Sequence, residues 1–478
     1  MKLRELSAAL SPTEVVGDDS VEIADLAYAA GGVRPGSLFF CVPGSRADGH
    51  DFAPAALEHG AVALAVERRL AFPVPQVVVE DTRAAMPAAA AAFFGHPTRE
   101  LEVAGVTGTT GKTTTAYLLY AILEAAGRRP GLIGTVESRV GGERKPAVRT
   151  TPEAIDLQRA FRAMLDAGDR SVALEATSHG SELGRLAGIR FGALAFTNLT
   201  EEHLDFHGTM ERYYAAKRRL FTGPEPPPAA VNVGDPYGRK LADELRALGR
   251  APMLTFGFAD EAEIRPEGLD GGRFRARGIE LETRLRGRFN VENVLAAVAV
   301  ALLLDVPDGA IAEGIAAVGG VPGRFETVEE GQPFTVVVDY SHKPGALENV
   351  LRAARHLATG RVLCVFGCGG DRDRTKRPLM GRIAADLADL AIVTSDNPRS
   401  EDPAAIIEEV VAGAPDRLEV EPDRRAAIAQ ALDAAEAGDV VVIAGKGHEQ
   451  GQEVNGTVLP FDDREIAREA LRALGART

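Results

Sequence analysis

At 478 residues the chain exceeds one ordinary domain and is long enough to bury several cores. With 69 acidic against 54 basic residues its formal charge is −15, which argues against wrapping a nucleic-acid backbone and points to small-molecule partners met by local positive charge. The start, Met1-Lys-Leu-Arg-Glu-Leu6, holds no long apolar stretch, and the longest apolar run, Val294–Leu304, is too short to cross a bilayer. A cytoplasmic chain without membrane insertion is therefore expected.

The elements fall into three groups. Residues 1–97 read as a small α/β unit: strands over Ser37–Val42, Val62–Val66 and Gln76–Glu80, with an alanine-rich helix, closed by Gly95-His-Pro-Thr98. Over residues 98–321, near-continuous apolar strands (Leu101–Val106, Val172–Glu175, Ala193–Thr197, Ala229–Val233) alternate with helices, as in a doubly wound parallel sheet. After Gly319-Gly-Val-Pro-Gly-Arg324 a third α/β set begins and runs to residue 478, with strands over Thr335–Tyr340, Val362–Gly367, Ala391–Thr394 and Val440–Ala444. Three cysteines, Cys41, Cys364 and Cys368, build no disulfide framework. The last two alternate with apolar residues along a strand and are expected as buried thiols.

The most informative stretch is Gly105-Val-Thr-Gly-Thr-Thr-Gly-Lys-Thr-Thr114, a glycine-rich loop between a strand and a helix over Thr114–Ala126. Such a loop aims backbone N–H groups and a helix N-terminus at phosphate oxygens, Lys112 adds a point charge, and the Thr113 hydroxyl suits magnesium. It points to a nucleoside triphosphate. The usual phosphate loop has glycine five residues before the Gly-Lys pair, where this chain has Val106.

Ligands of parallel sheets gather beyond the carboxyl ends of the strands, so polar residues there carry weight. Glu175 ends one apolar run and is followed by Ala176-Thr-Ser-His-Gly180. Another strand runs into Thr197-Asn-Leu-Thr-Glu-Glu-His-Leu-Asp-Phe-His207. His203 and His207 stand four apart, but the pattern is not His-Glu-x-x-His and spacing places no third ligand, so zinc is disfavoured. Magnesium with oxygen ligands suits a phosphate site better. From spacing alone Lys217-Arg-Arg219 reads as a solvated charge run.

These residues resemble the Mur ligases, ATP-dependent amide-forming enzymes of bacterial cell-wall synthesis. Their ATP loop reads Thr-Gly-Thr-Asn-Gly-Lys-Thr, matched by Thr107–Thr113 except for Thr110 in place of asparagine. The resemblance runs through Glu175, Thr197-Asn-Leu, His203, Tyr213-Tyr-Ala-Ala-Lys217, Phe289-Asn-Val-Glu-Asn293, Gly323-Arg-Phe-Glu326 and Val338-Asp-Tyr-Ser-His342. It implies ATP contacts from Gly108, Thr109, Thr110, Gly111, Lys112, Thr113 and Thr114, completed by Asn290, Arg324, Asp339 and His342. It also implies a carbamate on Lys217, and magnesium, two ions, held by Thr113, Glu175, His203 and that carbamate. Lys112, Glu175, His203 and Lys217 would then carry catalysis.

The branch resembled is the one that adds the third residue of the peptide. Ser395-Asp-Asn-Pro-Arg399 resembles its signature for meso-diaminopimelate, whose far carboxylate a guanidinium grips with paired hydrogen bonds. Arg372, Asp396, Asn397, Pro398, Arg399, Gly445 and Glu449 would bind that amino acid. The competing reading is a surface pair between Arg399 and Glu401 or Asp402. Thr150, Thr151, Thr177, Ser178 and Arg185 match positions for a UDP-muramoyl dipeptide, with the first 97 residues holding its uridine end. Three departures stand out: Leu183 for a glutamine, Arg149 for an asparagine, and Tyr28-Ala-Ala-Gly31 where Asp-Ser-Arg is usual, so Ala30 supplies no hydroxyl. The implied reaction forms an acyl phosphate on the dipeptide, which an amine displaces, and a monomer is expected. The alternatives are the same ligase using lysine, a folylpolyglutamate synthetase-like ligase, and an ATP-binding regulator without catalysis.

Overall fold

The structure is a computed structural model, and it describes residues 1–44 and 47–475. The chain is α/β throughout, and its contacts group into two compact units. One comprises residues 1–199, 203–265 and 296–314; the other comprises 200–202, 266–295 and 315–478.

The first unit contains two sheets. The N-terminal sheet orders its strands Glu14–Val16, Gln76–Val78, Ala61–Val66, Ser37–Phe40 and Asp25–Ala27, parallel except for the antiparallel first strand. Successive side chains of a strand face opposite sides. Phe40 accordingly enters a core with Leu3, Leu6, Leu26 and Met86, while Phe39 enters one with Cys41, Ala53 and Ala56 on the other face. Ala154 and Ile155, from the helix Ala154–Asp166, join the first of these cores and fix the N-terminal sheet to the central segment.

The central sheet places Glu102–Thr107 between Phe191–Phe196 and Ser171–Glu175, all parallel. Pro130–Ile133 lies beyond Ser171–Glu175, and Ala229–Asn232 and Met253–Phe256 lie beyond Phe191–Phe196, again parallel. An antiparallel hairpin, Glu137–Val140 with Glu143–Pro146, extends the sheet past Ile133. Register pairs Glu175 with Val106 and Phe196 with Thr107. The glycine-rich loop, Glu175 and Thr197-Asn-Leu199 therefore leave the sheet at one level of one edge.

The second unit is built on a sheet ordered Glu326–Val328, Thr335–Asp339, Val440–Ala444, Val362–Phe366, Leu390–Val393 and Glu419–Val420, parallel except for its antiparallel first strand. Its central strands are apolar on both faces, as sheets covered by helices on both sides require. Residues 266–295 also belong to this unit and include a three-stranded meander over Glu267–Asp270, Arg273–Ala276 and Ile279–Glu282. A hairpin, Gly451–Val454 with Thr457–Pro460, docks by a bridge between Arg399 and Val454.

All three cysteines are buried free thiols. Cys364 lies in the strand Val362–Phe366, whereas Cys368 lies two residues past its end. The run Val294–Leu304 falls in the helix Arg288–Leu303 and its cap, and among the described residues no helix is long and apolar enough to cross a membrane.

Candidate active site

The glycines of the phosphate loop divide into two kinds. Gly105 is a strand residue, and a Cβ there would fall 2.6 Å from Phe191 and Leu194 side-chain carbons. Gly108 and Gly111 belong to the loop. At Gly108 (φ 153°) a Cβ would fall 1.8 Å from Thr197 Oγ1, and Gly111 caps the helix Lys112–Ala125 at φ 84°. The shifted spacing thus reflects how closely the loop is pressed onto residues 197–198.

Asn198 fixes that approach. Its Oδ1 accepts from Thr110 N at 2.9 Å and its carbonyl from Thr109 N at 2.9 Å, while Thr197 Oγ1 donates to Thr110 O at 2.7 Å. Lys112 Nζ folds over the loop and donates to Gly108 O (3.0 Å) and Thr109 O (2.8 Å). Thr114 is buried on the inner face of the helix.

Glu175, 1% exposed, is the acidic centre of this edge. Its Oε2 accepts from Thr113 Oγ1 at 3.1 Å and Thr135 Oγ1 at 3.0 Å, and its Oε1 from Thr135 N at 2.7 Å. A Cβ on Gly134 would fall 2.5 Å from Oε1, so glycine there is what lets the carboxylate lie against the backbone. A carboxylate beside a threonine hydroxyl at the first turn of a phosphate-loop helix fits magnesium, a cation that prefers oxygen ligands.

Lys217 is not the solvated lysine that its charged neighbours suggest. Arg218 pairs with Glu244 and Arg219 with Glu182, but Lys217 is 1% exposed. Its Nζ donates to Gly108 O at 2.7 Å and lies 4.9 Å from the Tyr213 ring centre. Tyr213 joins the remaining parts: its hydroxyl is 3.0 Å from Thr109 Oγ1, and its ring lies 6.0 Å from that of His203. His203, at φ 59°, precedes the short helix Leu204–His207, and its ring meets that of His179 at 4.6 Å. His207 turns instead to Ser178, Nε2 to Oγ 3.0 Å, and burial lowers its pKa. Among the described residues no group of three or more His, Cys, Asp or Glu side chains converges as a metal site.

The residues matched to the dipeptide surround the same strand end. Thr151 Oγ1 donates to Glu175 O at 2.8 Å and accepts from Thr177 N (3.1 Å) and Thr177 Oγ1 (2.9 Å). Thr150 Oγ1 lies 3.1 Å from Thr135 Oγ1. Arg185 donates to Thr151 O at 3.2 Å and pairs with Glu153 at 2.8 Å. Sequence reasoning missed Thr135, His179 and Glu153. Glu153 is buried among Arg149 (2.8 Å), Arg185 and Arg83 (3.5 Å), and its place directly after Thr150-Thr-Pro152 was the available signal. Where the altered N-terminal motif lies, Ala30 opens a single 3₁₀ turn, its carbonyl 2.8 Å from His59 Nδ1, and the Tyr28 hydroxyl donates to Asp156 at 2.6 Å.

In the second unit, Asp339 ties Gly323-Arg-Phe-Glu326 to the sheet: Phe325 N donates to Oδ2 at 2.7 Å and Ser341 N to Oδ1 at 2.9 Å. Burial pushes its carboxyl pKa up, and Ser341 and Arg324 oppose that. The Arg324 guanidinium stacks 4.8 Å from the Tyr340 ring. His342 Nδ1 lies 2.7 Å from Tyr340 O, so its neutral ring carries the proton on Nδ1 and offers Nε2 as an acceptor. Burial, then Lys376, hold its pKa down to about 4. Asn290, buried, donates to Arg286 O at 2.8 Å and accepts from Asn293 at 3.0 Å.

The residues matched to the amino acid form one group at the carboxyl edge of this sheet. Arg399, at φ 54°, pairs with Glu453 (Nε to Oε2 3.3 Å) and donates to Gly370 O at 2.8 Å. Neither Glu401 nor Asp402 takes it: Glu401 pairs with Arg377, and Asp402 caps the helix Pro403–Val411. Arg372 also lies near Gly369, where a Cβ would fall 2.9 Å from Arg399 Nη1 and 4.0 Å from Arg372 Cγ. A Cβ on Gly370 would fall 1.9 Å from Pro398 O, and one on Gly445 (φ 121°) 3.3 Å from Asp396 Oδ2. Asn397 Nδ2 donates to Glu449 Oε2 at 2.8 Å. Glu453 and Lys446, which complete the group, were not anticipated.

Three stretches of the chain match models of one protein family. Residues 22–100 match the model of the Mur ligase family, catalytic domain; residues 106–301 match the Mur ligase middle domain; and residues 323–447 match the Mur ligase, glutamate ligase domain. The chain is 46% identical to UDP-N-acetylmuramoyl-L-alanyl-D-glutamate--2,6-diaminopimelate ligase of Solibacter usitatus, covering 99% of this chain and 96% of that protein. It is also 46% identical to the protein of that name from Geobacillus thermodenitrificans, covering 99% of each. A solved structure of a ligase with that name superposes with a TM-score of 0.71 at 32% identity, covering 99% of both chains. The MurF ligase of Thermotoga maritima, solved with ADP, shares the fold at a TM-score of 0.60 and 22% identity, covering 97% of this chain and all of that one. The chain belongs to the Mur ligase family.

Proposed function

We propose that the protein is the ATP-dependent ligase that joins meso-diaminopimelate to UDP-N-acetylmuramoyl-L-alanyl-D-glutamate in peptidoglycan synthesis. The observation that carries this reading is the group at the edge of the last sheet. The Arg399 guanidinium and the stem of Arg372 both lie against Gly369, whose neighbour in the same group, Asn397, holds the Glu449 carboxylate. That is the charge pattern for an amino acid with a carboxylate at its far end, and it agrees with the name borne by relatives 46% identical over the whole chain.

In this reading the dipeptide's free carboxylate attacks the γ-phosphorus of ATP and ADP leaves, giving an acyl phosphate. The amine then attacks the acyl carbon and inorganic phosphate departs. Phosphoryl transfer of this kind depends mainly on positioning and charge neutralisation. Lys112 and the N–H groups at the start of the helix cradle the phosphates, and Asn198, which takes the N–H groups of Thr109 and Thr110, keeps the loop in place beside them. Thr113, Glu175, His203 and Lys217 as a carbamate would hold magnesium, which would supply Lewis-acid charge neutralisation. Arg185, set by Glu153, and Thr151 and Thr177 orient the dipeptide. Asn290, Arg324, Asp339 and His342 are assigned to the nucleotide. Residues 1–97, 98–321 and 322–478 are assigned to uridine, ATP and amino acid respectively, in a cytoplasmic monomer.

Phosphate release by the purified chain with ATP, the UDP-muramoyl dipeptide and either diaminopimelate or lysine tests the assignment. Release that depends on diaminopimelate supports it. Release with lysine alone, or ATP binding without turnover, overturns it.

A further inference from the structure

Lys446 is fully buried at 0% exposure, an environment that favours an ammonium only where partners replace its water. Those partners are the groups at the amino-acid site: Nζ lies 2.9 Å from Asn397 Oδ1, 3.5 Å from Asp396 Oδ1 and 3.5 Å from Glu449 Oε2. Glycines on both sides, Gly445 at φ 121° and Gly447 at φ 54°, turn the backbone so that this side chain enters the fold. A Cβ on Gly447 would fall 2.7 Å from Tyr340 Cβ, so the turn admits no bulkier residue.

The consequence falls on Asn397 and Glu449. An amide's oxygen and nitrogen are alike in shape, and only their partners settle which way the group points. Asn397 Oδ1 accepts from Lys446 Nζ and from Glu453 N (3.0 Å), which leaves Nδ2 to donate to Glu449 Oε2 at 2.8 Å. Glu449 Oε2 therefore faces two donors, whereas among the described residues Oε1 has no hydrogen-bond donor. Asp396 Oδ1 is buried without a hydrogen bond and has the charge of Lys446 beside it. The neighbouring ion pair, Arg424 with Asp463 at 2.7 Å, is neutral in itself. Of the two carboxylates within 3.5 Å of Lys446 Nζ, Asp396 and Glu449, its single charge offsets one and leaves the other to meet a substrate ammonium.

We propose that Lys446 is a positioning residue for the amino-acid substrate: it locks the Asn397 amide and offsets Asp396, so that Glu449 presents Oε1 to the substrate's ammonium. The inference rests on the assignment of this site to diaminopimelate. In the full-length protein, K446M, K446Q, N397A and the double variant N397A/K446M are compared by phosphate release with each substrate varied in turn. For K446M the KM for diaminopimelate should rise roughly tenfold or more, the scale of a lost hydrogen bond to a charged group. The KM values for ATP and the UDP-dipeptide should stay near those of the parent. K446Q, which keeps one donor for Asn397 Oδ1, should fall between parent and K446M. Adding K446M to N397A should raise the KM by clearly less than the product of the two single effects, because the amide through which Lys446 partly acts is already gone; a merely structural lysine would add its full effect. If K446M does not fold, K446Q is read alone against N397A. An unchanged KM for diaminopimelate, or a parallel rise for all three substrates, overturns the positioning role. Absence of diaminopimelate-dependent turnover in the parent overturns the functional assignment instead.

Discussion

The hydroxyl of Thr113 and the carboxylate of Glu175, 62 residues apart in sequence, meet at 3.1 Å where the phosphate-loop helix begins. The contact exists because the strands that lead to them are adjacent and in register, Glu175 opposite Val106. E175Q keeps the shape and one acceptor but loses the charge proposed to hold magnesium. Its ATP-dependent phosphate release should fall by about a hundredfold or more, with a thermal midpoint close to the parent's. A parent-like rate would remove Glu175 from the metal site.

Lys217 bears on the same loop through its bond to Gly108 O. A carbamate turns that cation into an anion, so K217A should be inactive and partly restored by short carboxylic acids that occupy the vacated space. Carbon-13 NMR of protein equilibrated with labelled bicarbonate should show a carbamate carbon in the parent and none in K217A. Full turnover in K217A, without added acid, would contradict the role.

R399A should raise the KM for diaminopimelate by about a hundredfold, the scale of truncating one member of a desolvated charge pair, with the KM for ATP unchanged. R399K should resemble R399A rather than the parent, because an ammonium lacks the planar fork that grips a carboxylate by two bonds. Steady-state kinetics with each substrate varied decides this, and equal effects on both ligands would refute the selector role.

The edge around Lys112 and Glu175 was legible in the sequence for a physical reason, whereas Lys217, Asn290, Arg324, Asp339 and His342 were reached only through the family resemblance. Strand, loop and helix around Lys112, and the strands that end at Glu175 and Ala444, carry near-continuous apolar runs that can only be buried parallel strands, and polar residues at their carboxyl ends stand out. The illegible residues act through tertiary contacts with no local pattern. Glu153 matters because Arg83, Arg149 and Arg185 reach it from three different segments, and Lys446 because the glycines beside it turn it inward. The short meander at 267–282 also escaped notice, since its strands are only four residues long; the first is exposed throughout and the other two alternate exposed and buried residues.

Two half-buried histidines make stability depend on pH. His342 and His448 are both held down to about 4 by burial, aided by Lys376 for the first and Arg324 for the second. In the unfolded chain both titrate near 6.5. Between those values the unfolded state binds more protons, so stability is full above about 6.5 and is lost as pH falls toward 4. The thermal midpoint should drop over that interval, and less steeply in H448N. A pH-independent midpoint there would contradict the assignment.

The pair Arg424–Asp463 is wholly buried, with Nε and Nη2 of the arginine donating to the two carboxylate oxygens at 2.8 and 2.7 Å. Removing one partner strands the other charge. D463A should therefore lose about 3–5 kcal/mol of stability by denaturant unfolding, and a loss near zero would show that water reaches the arginine.

The central claim is that one chain activates an acid with ATP and joins it to a diacidic amino acid. The most direct measurement is mass spectrometry of the product formed from ATP, the UDP-muramoyl dipeptide and meso-diaminopimelate, with phosphate counted alongside. The account predicts one UDP-muramoyl tripeptide per phosphate released, and no release when either the dipeptide or the amino acid is omitted. Phosphate released without tripeptide, or a tripeptide formed with lysine but not with diaminopimelate, would contradict it.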